Sequence, residues 1–189
     1  MNNIDFKKYF LKTLIIALSV SALIGILIFL VGDFGETEVR LLLTTLTIGG
    51  FSLTGFCSAI IQNRSGLKAF SITGMLISVI GFLITICTIW VLFELDDIWK
   101  AVLISIILST AIAHASLLLQ IRYKTDNIKY SLIGTIVFIA FVALMLIKST
   151  LTEFDESEFY FRLLGVFSIL DVLGTIVTPI LNRLAERQE

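Results

Sequence analysis

The chain is poor in the residues that most protein chemistry needs. Its 189 residues include one histidine, one proline and two cysteines, and only 15% are charged. A single histidine excludes a multi-histidine metal site or a bis-histidine haem within one chain. Cys57 and Cys87 fall near opposite ends of their apolar runs, and neither has a CxxC partner. No bridge between them is expected. Walker A, Gly-x-Ser-x-Gly and His-Glu-x-x-His motifs are all missing. His114 lacks the serine beside a helix start that a membrane serine protease would require. The longest loop, residues 148–162, is too short to hide a soluble catalytic domain. The reading leans away from an enzyme, and no cofactor or metal is expected. The net charge of −1 gives no sign of nucleic-acid binding.

What the chain has in quantity is apolar sequence. Hydrophobic residues make up 57% of it, more than a soluble domain of this size can hide. Six stretches reach spanning length: residues 14–31, 41–61, 69–93, 101–119, 130–147 and 163–181. Five carry no Asp, Glu, Lys or Arg, and the sixth carries only Asp171. In hydrocarbon the backbone must satisfy itself, so these runs read as helices. A transmembrane barrel would show shorter, alternating segments. The expected fold is therefore an all-α, six-helix polytopic membrane protein: one membrane domain over residues 1–189 and no soluble domain. Lys7, Lys8 and Lys12 followed by Val20-Ser21-Ala22 mimic a signal peptide. The apolar run continues to Val31, too long for a signal core, and reads as an uncleaved anchor.

Loop charge alternates in sign. Ten of the fourteen basic residues fall on one side; the other four are Arg40, Lys100, Lys148 and Arg162. The basic-rich side reads as cytoplasmic, with both termini inside. The three acidic loops (Asp33, Glu36 and Glu38; Glu94, Asp96 and Asp97; Glu153, Asp155, Glu156 and Glu158) then face out. Their carboxylates are oxygen ligands of the kind calcium takes, but no EF-hand spacing or glycine turn accompanies them. Solubility of short outer loops explains them. Trp90, Trp99, Phe154 and Tyr160 at one boundary, with Tyr9, Phe10, Tyr123 and Tyr130 at the other, read as an interfacial belt.

The chain also repeats itself. Lys12, Lys68 and Lys129 each precede an outward-going run, and Arg40, Lys100 and Arg162 each open an inward-going one. Ile-Gly-x-Leu-Ile recurs at residues 24–28 and 80–84. Three hairpins in the same orientation are expected, approximately residues 9–61, 69–119 and 130–181, as a possible parallel internal repeat. Equal distances from Arg40, Lys100 and Arg162 then mean roughly equal depth, at about 1.5 Å per residue. One level holds Gly49, Gly50, Ser109, Thr110 and Asp171; a level one turn inward holds Thr54, His114 and Thr175. Asp171, Thr175 and Thr178 share a helix face at i, i+4 and i+7. Ser105, Ser109 and Ala113 form a small-residue ladder, as do Gly74 and Ser78, and such ladders let membrane helices approach closely.

Asp171 is the residue that demands an explanation. An ionised carboxylate at the centre of a membrane helix costs about 2.5–3.5 kcal/mol on the insertion scale. It must be protonated, paired, or placed on a cavity. A direct contact with His114 is not required, because the two lie about 7.5 Å apart in depth. Thr175 or a water is expected to bridge them, and Ser109 or Thr110 is closer in depth to Asp171. Such a chain suits proton carriage, since histidine changes charge near neutral pH, and equally suits a static packing network. Thr178-Pro179 reads as a helix-end feature, with a hinge as the alternative.

Four strings, Gly35-Glu36-Thr37-Glu38, His114-Ala115-Ser116-Leu117-Leu118, Phe161-Arg162-Leu163-Leu164-Gly165-Val166 and Leu170-Asp171-Val172-Leu173-Gly174-Thr175, resemble an uncharacterised group of small six-helix bacterial integral membrane proteins. The resemblance spans most of the chain. It implies that architecture and a bacterial inner-membrane setting, and it implies no activity. Three functions stay open: transport of a proton, cation or small solute through a polar seam centred on Asp171; a structural or assembly subunit of a membrane complex; and a membrane-embedded enzyme acting on lipid or quinone. The partners expected are the lipid bilayer and a second copy of the chain or another membrane protein, not nucleic acid.

Overall fold

The computed structural model describes residues 6–31, 35–93, 96–121 and 125–186. Asp5, Asp33, Glu94, Arg122, Tyr123, Lys124 and Arg187 lie outside the described residues, as do the side chains of Lys7, Lys8, Phe10 and Asp96. The elements are α1 (Phe6–Val31), α2 (Glu36–Ala59), α3 (Lys68–Trp90), α4 (Asp96–Leu119), α5 (Asp126–Leu151) and α6 (Glu158–Glu186), with no strand among the described residues. Five of them, α2 to α6, are long and apolar enough to cross a membrane. The first expected span falls in α1, whose described apolar run covers Leu11–Leu27.

The helices run beyond the apolar stretches at several ends. α5 starts at Asp126 and α6 at Glu158, each several residues before its apolar run. Hydropathy stops at the first charge, but a helix does not. Acids in the first turn suit the positive end of the helix dipole, and a base one turn later pairs with them. Three helices open this way: Glu36 with Arg40, Asp97 with Lys100 at 3.0 Å, and Glu158 with Arg162 at 2.7 Å. Pro179 corrects the helix-end reading, because it lies inside α6, which continues to Glu186. Membrane helices tolerate such a proline where neighbours satisfy the freed groups. Its missing N–H leaves the Thr175 carbonyl without its donor four residues on.

Packing centres on α2, α3 and α4, each of which touches the other two. α1 leans on α2, and α5 packs against α4 and α6. α6 touches α4 only sparingly, and α2 and α6 do not meet. The central contact is built on small residues. A Cβ added at Gly74 would lie 2.5 Å from Ser58 Oγ of α2 and 2.7 Å from Ile112 Cγ2 of α4. One at Gly81 would lie 2.5 Å from the Phe51 ring. Around them Ser58, Ser71, Ser78, Ser105, Ser109 and Ser116 are buried. Their hydroxyls bond carbonyls of their own helix or of the next, as Ser71 Oγ does to Ser58 O at 2.7 Å. Close approach and local hydroxyl–carbonyl bonds hold apolar helices together where water supplies no driving force.

Both ends of the bundle carry polar clamps. At the end where α2, α4 and α6 begin, the Trp90 indole donates to Thr44 Oγ1 at 3.0 Å and the Tyr160 hydroxyl to Met145 O at 2.6 Å. Phe93 packs edge-on against Trp99 with centroids 5.8 Å apart, under the Arg40 guanidinium. These aromatics are thus tied to neighbouring helices as well as placed at a boundary. Lys100 reaches Glu153 at 2.8 Å, joining α4 to the turn after α5. At the opposite end Arg64, in the α2–α3 connection, donates to the carbonyls of Leu119 and Ile121 and closes the C-terminus of α4. Basic side chains favour that end of a helix. Arg64→Ala is expected to cost about 1.5–3 kcal/mol, the usual value of hydrogen bonds to a charged donor. It is read as a lower midpoint of thermal unfolding in detergent; an unchanged midpoint would mean that water replaces the cap.

Candidate functional site

The candidate site lies where α4, α5 and α6 meet. Along α6 the polar residues Asp171, Thr175, Thr178 and Asn182 follow one face. They are spread over about 16 Å of helix axis. Thr178 is wholly buried and its hydroxyl pairs with Ser131 Oγ of α5 at 2.7 Å. One turn nearer the helix centre, Thr175 Oγ1 lies 2.9 Å from His114 Nε2 of α4. The same hydroxyl donates to Asp171 Oδ1 at 3.4 Å. A hydroxyl has one proton to give. Its donation to Asp171 leaves its lone pair for the imidazole, so Nε2 carries the hydrogen in that bond. His114 Nδ1 then faces Asp171 Oδ2 at 3.9 Å, beyond direct bonding distance.

Asp171 is under-supplied. Its side chain is 14% exposed, and the long bond from Thr175 is its one side-chain hydrogen bond among the described residues. An ionised carboxylate has about four acceptor positions. Asp171 is also one of the residues lining a cavity of about 270 Å³ between α4, α5 and α6. Thr110, His114 and Asp171 supply its polar wall; the rest is apolar, from Ile106, Ile107 and Ala111 of α4 and Ile139, Val142, Ala143 and Leu146 of α5. On the other side of Asp171 along α6 the surroundings are aromatic. Phe167, one turn away, stacks on Phe141 at 5.3 Å and leans on Phe138 at 6.1 Å. Gly174 lets α6 close onto Thr135 of α5 between these features.

The residues expected to share a polar level separate into two groups. Asp171, His114 and Thr175 are brought together, with Thr110 on the same cavity. Thr175 bridges to His114, as depth alone suggested. Ser109 is not part of this group: it is buried and bonds Ile106 O of its own helix at 3.1 Å. Thr54 is also elsewhere, 3.0 Å from Ser78 in the α2–α3 contact. Gly49 faces Leu18 of α1, and nothing lies within 4 Å of a Cβ at Gly50. The reason is helix order. Depth places residues on a level, but α2 and α6 do not touch, so no common layer forms. Sequence reasoning missed Ser131, whose hydroxyl continues the α6 polar face onto α5; a serine at the start of a neighbouring run was its only signal.

Among the described residues, no group of three or more His, Cys, Asp or Glu side chains comes together. Cys57 and Cys87 are both free thiols, the first buried and the second exposed. The site offers one carboxylate, one imidazole and the Thr110 hydroxyl on an apolar cavity, with the Thr175 hydroxyl bridging the first two, within helices apolar enough to span a membrane. No protein family, curated protein or solved structure matches the chain in comparison with them.

Proposed function

We propose that the chain is an integral membrane protein of transport type that moves a proton or small cation through the polar seam at Asp171. The observation that carries this reading is the position of the carboxylate. It sits on a cavity wall with a single long hydrogen bond, in a helix that has the composition of a membrane span. An intramembrane acid serving only to fix packing gains most when its acceptor positions are filled. Asp171 instead has one long side-chain hydrogen bond among the described residues and lines the edge of an apolar cavity, with an imidazole one hydroxyl away. The Thr175, Thr178 and Ser131 hydroxyls extend the polar path toward the C-terminal end of α6.

The charge pattern orients this path. With ten of fourteen basic residues on one side, the chain lies in a cell membrane as three consecutive hairpins with both termini cytoplasmic. The hydroxyl path then leads to the cytoplasm, and the Phe138, Phe141 and Phe167 group lies on the outer side of Asp171. The static-seam reading suits α2, α3 and α4, where buried hydroxyls bond carbonyls. The test is proton and cation flux from proteoliposomes containing the purified chain. Flux above that of empty vesicles is expected, and flux equal to theirs overturns the reading.

A further inference from the structure

We propose that the cavity between α4, α5 and α6 binds a lipophilic ammonium ion, which enters sideways from the hydrocarbon through the gap between α4 and α6 and sets its charged head on Asp171. The inference deepens the transport reading and rests on it for an ionised Asp171.

Three observations define the ligand. The first is charge. His114 and Asp171 are the ionisable side chains of the cavity wall. The carboxylate repels an anion and gives a neutral apolar molecule nothing it lacks in lipid. A bare metal ion is also a poor fit. Hard cations take six or more oxygen ligands, and this wall offers one carboxylate and the Thr110 hydroxyl among aliphatic side chains. An ammonium group needs fewer partners, because it donates at most three or four hydrogen bonds.

The second observation is the wall. Seven of its ten residues are aliphatic. They match an alkyl or similar body and cannot solvate a hydrated ion. Lipid tails are as apolar as these side chains, so burying the body in the cavity adds little, and selection falls on the head group. The third is access. α6 touches α4 sparingly while both pack on α5, which leaves a cleft floored by α5. Ile106 and Thr110, on its α4 side, are exposed. That edge faces lipid if α4 and α6 span the membrane, so a molecule dissolved in the bilayer reaches the cleft without crossing water. A cavity of about 270 Å³ that opens at one edge has room for a short alkyl chain with its head group. n-Octylamine is a molecule of this kind.

The experiment is equilibrium binding of radiolabelled n-octylamine to the purified full chain in detergent, with n-octanol and octanoate as competitors. Saturable binding near one per chain is expected, with octanol at least tenfold weaker as a competitor and octanoate without effect. Asp171→Asn should weaken binding at least tenfold. Ile106→Trp, at the exposed edge of the cleft, should do the same while leaving Asp171 in place, with folding checked by gel filtration. Equal binding to wild type and Asp171→Asn, or competition by octanoate equal to that by the amine, overturns the proposal. Proton and cation flux measured without amine separates the two readings. Flux with no amine binding removes only the ammonium ligand; saturable amine binding without any flux keeps the site and removes transport.

Discussion

In proteoliposomes, Asp171→Asn slows cation or proton flux at least tenfold and leaves the midpoint of thermal unfolding unchanged or higher. The two halves of this expectation come from one geometry. Asparagine keeps the size of the side chain and an acceptor for the Thr175 hydroxyl, now 3.4 Å from Asp171 Oδ1. What it loses is the charge and the ability to take a proton. Asparagine also removes the charge that makes a carboxylate costly at a helix centre, while keeping a polar amide there. His114 keeps its 2.9 Å bond to Thr175. A residue retained for packing would behave in the opposite way: its loss would lower the midpoint and leave flux per folded molecule intact. Unfolding followed by circular dichroism, with flux measured on the same preparations, separates these outcomes.

Gly74→Leu is expected to be among the most destabilising single changes in the chain, and Gly50→Leu is its control. At Gly74 even a Cβ meets Ser58 Oγ at 2.5 Å and Ile112 Cγ2 at 2.7 Å, side-chain atoms one bond beyond Cβ on packed helices, with little freedom to yield. Forcing extra atoms into a filled contact costs about 1–3 kcal/mol and occasionally more. The Ser71-to-Ser58 bond beside it would be strained as well. At Gly50 nothing lies within 4 Å of the added atom. There leucine gains about 0.5–1 kcal/mol of helix propensity over glycine. The two variants add the same side chain to the same fold, so the sign of the shift in unfolding midpoint reads packing directly. Equal shifts would mean that α2, α3 and α4 are not held by this contact.

Helix existence was legible because apolar length alone decides it, and the shared face of Asp171, Thr175 and Thr178 followed from the helical period. Helix ends were less legible. Glu36, Asp97 and Glu158 interrupt hydropathy while helping their helices start, so the apolar runs begin late. Pro179 signals a break in water but lies inside α6, which continues to Glu186. The candidate site was half legible. Depth brought His114 and Thr175 toward Asp171 because it is a one-dimensional quantity that sequence supplies. It could not exclude Thr54 or Ser109. Which helix faces which is set by contacts such as Gly74 with Ser58 and Gly174 with Thr135, between residues far apart in the chain.

The uneven contacts of α6 have a mechanical consequence. α2, α3 and α4 meet through backbone-close contacts that leave no room for sliding, whereas α6 is braced mainly by α5. The α4–α6 side is therefore sparsely packed, and the His114–Thr175 bond crosses it. It works as a latch across this sparsely packed seam. Any tilt that parts α6 from α4 lengthens this bond first, so a widened cleft and an intact imidazole–hydroxyl–carboxylate relay exclude one another in time.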